Sequence, residues 1–210
     1  MNRRFFLSFI TASLLFATSW SAQAAPYAFE EGIHYKKLPD NARALVAKGS
    51  VQEFFFYGCS HCQDMEKPLK EWLANKPKHI NFEAIPAVFQ SPAWAILARV
   101  FYALKASDQL SLAHEATFNV FAKDKSKPKN VQEIASLIQA KFTYLDNDYF
   151  IKSYNDEARN AEITRASKLS AQYQLEAVPT FVINGQYVTD LPMAGNHAKL
   201  FALIEELSQK

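Results

Sequence analysis

Val51-Gln52-Glu53-Phe54-Phe55-Phe56-Tyr57-Gly58-Cys59-Ser60-His61-Cys62 is the stretch on which the reading of this chain turns. Val51 to Tyr57 is aromatic and β-branched and mostly apolar, which predicts a strand buried on both faces. Cys59 and Cys62 follow at the expected start of a helix that reaches about Leu73, with Pro68 expected to kink it. The first turn of a helix carries unpaired N–H groups and the positive end of the peptide dipoles, and both stabilise a thiolate. The chain has two cysteines in all, so its thiol chemistry rests on this motif. A bridge closing so short a loop removes little entropy from the unfolded chain and makes a poor structural staple. A dithiol that cycles between open and closed forms is the economical reading.

Upstream, Asn2-Arg3-Arg4 precedes the mostly apolar run Phe5 to Trp20, and Ala22-Gln23-Ala24 supplies a small-x-small cleavage pattern. This predicts an export signal over 1–24, removed near Ala24/Ala25. Export would place the cysteines where disulfides persist. The whole chain has 23 Lys and Arg against 21 Asp and Glu. Losing Arg3 and Arg4 leaves the mature charge balanced, which argues against a nucleic-acid footprint or a strongly membrane-attracted surface. The lysine-rich run Lys123 to Lys129 reads as a solvated loop. With nearly half its residues apolar and 17 Phe, the mature chain can bury a full core.

Ile80 to Phe89 predicts a second strand, and Pro86 within it favours an edge or a bulge. Then the periodicity changes. Ser91-Pro92 predicts a helix start with a capping serine, followed by Trp94, Leu97, Ala98, Phe101 and Leu104 at helical spacing. Further helices are expected over 112–122, 131–141 (capped by Asn130 with Glu133), 147–154 and 158–172. Strand signals return over 179–183, Asn184-Gly185 is a two-residue hairpin turn, and 186–189 is the returning strand. Asn196 is placed to cap a final helix from His197 to about Leu207. The predicted organisation is α/β: a sheet-forming part over 25–90, a helical insertion over 91–160, and the rest of the sheet part over 161–210.

Exchange between thiols and disulfides needs a sulfur that is anionic, accessible and a good leaving group. Cys59 meets this at the helix start, and Cys62, one turn further in, is expected to be buried and to act as the resolving thiol. His61 either tunes the thiolate or is an ordinary exposed helix-start residue. Glu53 shares a strand face with Phe55 and Tyr57. It either lies beneath the dithiol with a raised pKa and relays a proton, or reaches solvent at the strand start. A cis bond at Val178-Pro179 would turn a free backbone edge towards Cys59, where a client peptide could pair. A thiolate pKa near 4 would favour the reduced form by about 4 kcal/mol at pH 7, on the order of 90 mV of oxidising power. We expect an apparent pKa below 7.

Together these residues resemble the DsbA family of periplasmic thiol:disulfide oxidoreductases. The likeness is carried by Glu30-Glu31-Gly32 with a His34-Tyr35 strand, Glu53-Phe54-Phe55 leading into Cys59-Ser60-His61-Cys62, Trp94 opening the helical block, and Val178-Pro179 followed by Asn184-Gly185. The resemblance implies a thioredoxin-like sheet with an inserted helical subdomain. It implies Cys59 as nucleophile, Cys62 as resolving thiol, Pro179 as the cis-proline and Glu53 as the buried acid. Val178, Pro179 and Trp94 would bind substrate. It also implies donation of the disulfide to reduced exported proteins and reoxidation by a quinone-linked membrane partner of the DsbB type. We expect no cofactor or metal, and a monomer. Two features depart from the family: Ser60 replaces the usual proline between the cysteines, and Ala84 stands where some members carry a lysine beside the buried glutamate.

Two other readings compete. One is an isomerase or reductase of the same fold, although no segment supplies a dimerisation domain. The other is a non-redox chaperone that holds clients at the Pro179 groove and the apolar surface near Trp94. A zinc site is poorly supplied, because Cys59, Cys62 and His61 give at most three ligands where structural zinc takes four.

Overall fold

The computed structural model describes residues 27–210; the expected export signal, 1–24, lies outside them. Two short elements open the fold: strand β1 (Lys36–Lys37) and, after a 3-10 turn, strand β2 (Ser50–Phe55). Helix α1 (Ser60–Asn75) leads to β3 (Asn81–Pro86). Helices α2 (Pro92–Ala106), α3 (Leu110–Phe118), α4 (Val131–Lys141), α5 (Asn147–Asn155) and α6 (Ala158–Gln172) follow without an intervening strand. The hairpin β4 (Thr180–Ile183) and β5 (Tyr187–Thr189), the short α7 (Leu191–Ala194) and α8 (His197–Ser208) complete the chain.

The five strands form one sheet in the order β1-β5-β4-β2-β3, with β2 and β3 parallel and the other pairs antiparallel. Strand β2 therefore lies inside the sheet, flanked by β3 and β4. Its continuous apolarity follows from burial on both faces: Val51, Gln52, Glu53, Phe54 and Phe55 are all buried. On one face Val51, Phe181 and Ile183 pack with Met65 and Leu69 of α1 and Leu200 and Ile204 of α8. On the other, Phe54 meets Tyr173 just beyond α6, edge to face with ring centres 5.7 Å apart.

Pro86 ends β3, which is an edge strand, so its missing N–H costs no ladder bond on the open side. The strand stops there, short of the Phe89 expected from apolarity alone. Helix α1 continues past Pro68 to Asn75. Asn130 caps α4 as expected, accepting from the Glu133 N–H at 2.9 Å. Ser91 takes the N-cap position of α2, but its hydroxyl makes no cap hydrogen bond, and Pro92 at the first helical position marks the start instead. The helix expected over 112–122 is α3 followed by a π-helical turn at Asn119–Lys123. The strand expected at His34-Tyr35 lies two residues later, at Lys36–Lys37, with Tyr35 making only an isolated bridge to Glu31. Helix α6 runs unbroken across position 160, where the sequence boundary was drawn.

The hairpin has the geometry its residues demand. Asn184 and Gly185 have φ of 52° and 65°, both in the left-handed region that two-residue turns of this kind require. A side chain at Gly185 would also run into the Ala44 carbonyl oxygen, so the position needs glycine twice over.

Candidate active site

The dithiol stands where β2 hands over to α1. After β2 the chain turns through Phe56, Tyr57 and Gly58, and the Cys59 N–H donates to the Phe56 carbonyl at 2.9 Å. A Cβ at Gly58 would lie 2.5 Å from the Phe56 ring. Glycine thus leaves the space in which that ring stacks on Trp94, with centres 3.9 Å apart. Cys59 is the N-cap of α1: its sulfur accepts from the Cys62 N–H at 3.4 Å, and both thiols are free. Cys59 is half-buried and open to a partner, whereas Cys62 is 0% exposed. Only one of the two sulfurs can meet an external disulfide or thiol.

Their surroundings split the pair. The hydrogen bond from the Cys62 thiol is the largest influence on Cys59; partial burial opposes it, and the N–H groups of Cys62 and His61 and the charge of His61 add to it. The result brings Cys59 from an ordinary 9.0 to about 6. Thiolate then outnumbers thiol roughly tenfold at pH 7. Relative to an ordinary thiol this favours the reduced form by at most about 1.4 kcal/mol, or roughly 30 mV, and solvent screening at a half-exposed sulfur trims it further. The expected value below 7 is met, though well short of the strongest case near 4. His61 is exposed, and its charge is the smallest of these influences. Burial, reinforced by Cys59 and Glu53, pushes the Cys62 thiol far up, so it stays protonated until it is used.

Glu53 lies on the floor of the site. It is 1% exposed, and no protein group hydrogen-bonds its Oε1. The solvent-reaching alternative is therefore wrong: the strand that carries it is interior. Its neighbours across the sheet are Ala84 and Phe181, so no cation stands opposite. Burial first, and the charge of Glu66 second, raise its carboxyl well above the usual range.

Val178-Pro179 is a cis peptide, and the Cys59 sulfur sits 3.6 Å from the Val178 carbonyl oxygen. Both residues are part-exposed at the start of β4. Trp94, at the start of α2, stacks on Phe56 of the active-site turn and leans on Phe89 with ring centres 4.5 Å apart. Among the described residues no cluster of three or more His, Cys, Asp or Glu side chains is arranged to hold a metal ion.

Sequence reading missed the polar groups that close the site from the helical side. His114 of α3 meets both Tyr57 and Glu66, and Gln63 of α1 donates to Asn119 at 2.9 Å. The available signal was Glu66, four residues after Cys62 and hence one turn along the same helix face; its partner 48 positions away carried none.

A parallel β2–β3 pair joined by α1, a helix-start dithiol and a cis-proline edge beside it define a dithiol oxidoreductase of thioredoxin type. The comparisons agree. A family model described as thioredoxin matches residues 44–201. The thiol:disulfide interchange protein DsbA of Azotobacter vinelandii is 32% identical over 188 residues, covering 89% of this chain and 86% of that protein. The DsbA of Pseudomonas syringae pv. tomato is 30% identical over 204 residues, covering 96% and 94%. The crystal structure of Pseudomonas aeruginosa DsbA superposes with a TM-score of 0.77 at 27% identity, over 86% of this chain and 93% of that one. The chain belongs to the DsbA thiol:disulfide interchange proteins. It is a thiol:disulfide oxidoreductase.

Proposed function

We propose that the chain works in the oxidising direction, donating a Cys59–Cys62 disulfide to reduced proteins exported to the periplasm. The observation that carries this is the opposite tuning of the two sulfurs. Reduction leaves Cys59 as a favoured thiolate and Cys62 as a sheltered thiol, so the open form is the comfortable one. A client thiolate attacks the Cys59 sulfur, the bond to Cys62 breaks, and Cys62 leaves with the electron pair. Glu53, held neutral beneath it, gives Cys62 a proton and is then reprotonated from solvent. The client's second thiolate then attacks its own sulfur in the mixed disulfide and expels the Cys59 thiolate. Two electrons have passed from client to enzyme.

In this reading the Val178 carbonyl edge pairs with the client backbone, Trp94 and Phe56 offer an apolar shoulder beside it, and His61 tunes Cys59. The signal over 1–24 is cleaved near Ala24/Ala25, and the mature chain divides into 25–90, 91–160 and 161–210. A quinone-linked membrane oxidase of the DsbB type restores the disulfide, and the protein acts as a monomer.

The test is equilibration with glutathione, followed by single-turnover oxidation of a reduced dithiol peptide. We expect a potential clearly above that of thioredoxin, about −270 mV, and stoichiometric peptide oxidation. A potential near the thioredoxin value would make the protein a reductant. Cellular function preserved in Cys59→Ala would make it a non-redox chaperone.

A further inference from the structure

His114 reaches the active-site unit twice. Its Nδ1 lies 2.6 Å from the hydroxyl of Tyr57, two residues before Cys59, and its Nε2 lies 3.2 Å from Glu66 Oε2, one turn beyond Cys62. The ring is wedged among Phe55, Phe101 and Phe118, with centres 5.6, 6.2 and 5.2 Å away. The titratable groups in contact with it are Tyr57 from the turn after β2 and Glu66 from α1, and α2 contributes Phe101.

The hydrogen bonds order themselves. A carboxylate only accepts, so Nε2 carries the proton towards Glu66, and in the neutral ring Nδ1 accepts from the Tyr57 hydroxyl. Charge placed on this ring lands next to Glu66, the carboxylate that acts on Glu53, which in turn acts on Cys62.

We propose that His114 is a positioning residue for disulfide exchange: gripping Tyr57 and Glu66 together, it ties α3 to the active-site helix and sets the charge beneath Cys62. The inference rests on the donor reading above. The N–H that the ring turns to Glu66 offsets the charge of that carboxylate, and Cys62 leaves more readily. Without that N–H the offset is gone.

The experiment compares single-turnover oxidation of a dithiol peptide by oxidised wild type, His114→Gln, His114→Asn and Glu66→Gln at one pH. Taking rates as ratios cancels the ionisation of the peptide. Asn keeps the Tyr57 contact and Gln keeps the Glu66 contact. We expect wild type to outpace His114→Asn roughly threefold and His114→Gln to recover most of that rate. Glu66→Gln should outpace wild type, the opposite sign. Equal losses in His114→Gln and His114→Asn would reduce His114 to a packing residue and overturn the proposal, as would a ratio of one throughout. A wild type that oxidises no peptide would defeat the donor reading instead.

Discussion

Cys62→Ala is expected to turn the catalyst into a trap. Cys59 keeps its half-exposed position at the N-cap, so it still attacks a disulfide presented to it. The bond it forms then has no partner on the same helix turn to break it. Intramolecular attack by a thiol held one turn away acts at effective molarities of about 10⁵ M or more, against millimolar thiols in solution. The mixed disulfide should therefore persist at least about 10³ times longer than in the wild type, by the same reasoning. Non-reducing electrophoresis after mixing with an oxidised peptide reads it directly: a persistent adduct in Cys62→Ala, none in Cys59→Ala. The asymmetry follows from burial, since Cys62 at 0% exposure cannot receive the peptide itself. An adduct forming equally on Cys62 in Cys59→Ala would show that access, and hence the assignment of roles, is wrong.

Glu53→Gln should make the protein sturdier and slower at once. The carboxyl is buried without a cation opposite, and its folded pKa is raised above the ordinary 4.5. A group raised in this way favours folding while it is neutral. Its contribution is whole below pH 4.5 and is lost as pH climbs towards the folded value, at about 1.4 kcal/mol for each pH unit in that interval. Glutamine keeps the shape and does not titrate. Denaturant melts of the reduced proteins should coincide near pH 4 and separate above it, with Glu53→Gln the more stable at pH 7. Peptide oxidation should meanwhile slow about tenfold or more, because the proton for the departing Cys62 must now come from solvent. A variant that is more stable yet fully active would leave Glu53 a structural residue.

The features legible beforehand are those set by neighbours in sequence. The strand, the helix-start cysteines, the Asn184-Gly185 turn and the Asn130 cap each depend on a handful of adjacent residues. The register that opposes Glu53 to Ala84 followed from the parallel pairing of the two strands. What escaped depends on distant contacts or on local energies that nearly cancel. The π-helical turn after Phe118 continues a helical pattern with a slightly different hydrogen bond, which side-chain periodicity does not register. Strand β1 is two exposed lysines whose pairing is decided by β5, and nothing in Lys36-Lys37 itself favours a strand. His114 sits in a helix that also buries Ala113, Ala116, Thr117 and Phe118, and only the fold brings it to Tyr57 and Glu66.

The same limit applied to the strength of the thiolate. Helix-start geometry was visible, and it correctly gave a lowered pKa. The size of the shift turned on the hydrogen bond from Cys62 and on how far burial opposed it, and both are properties of the assembled site. Because the Cys59 value is depressed, the stabilisation it lends the reduced fold is complete above about pH 9 and disappears as pH falls below about 6.

The most direct measurement is the rate of Cys59 alkylation by iodoacetamide across pH 4 to 9 in the reduced protein, with Cys62 shielded by its burial. A single inflection near 6 is the expected profile: an anionic, exposed sulfur paired with a silent, buried one. An inflection above 8 would mean that the helix start holds no thiolate at neutral pH, and the oxidising role would lose its physical basis.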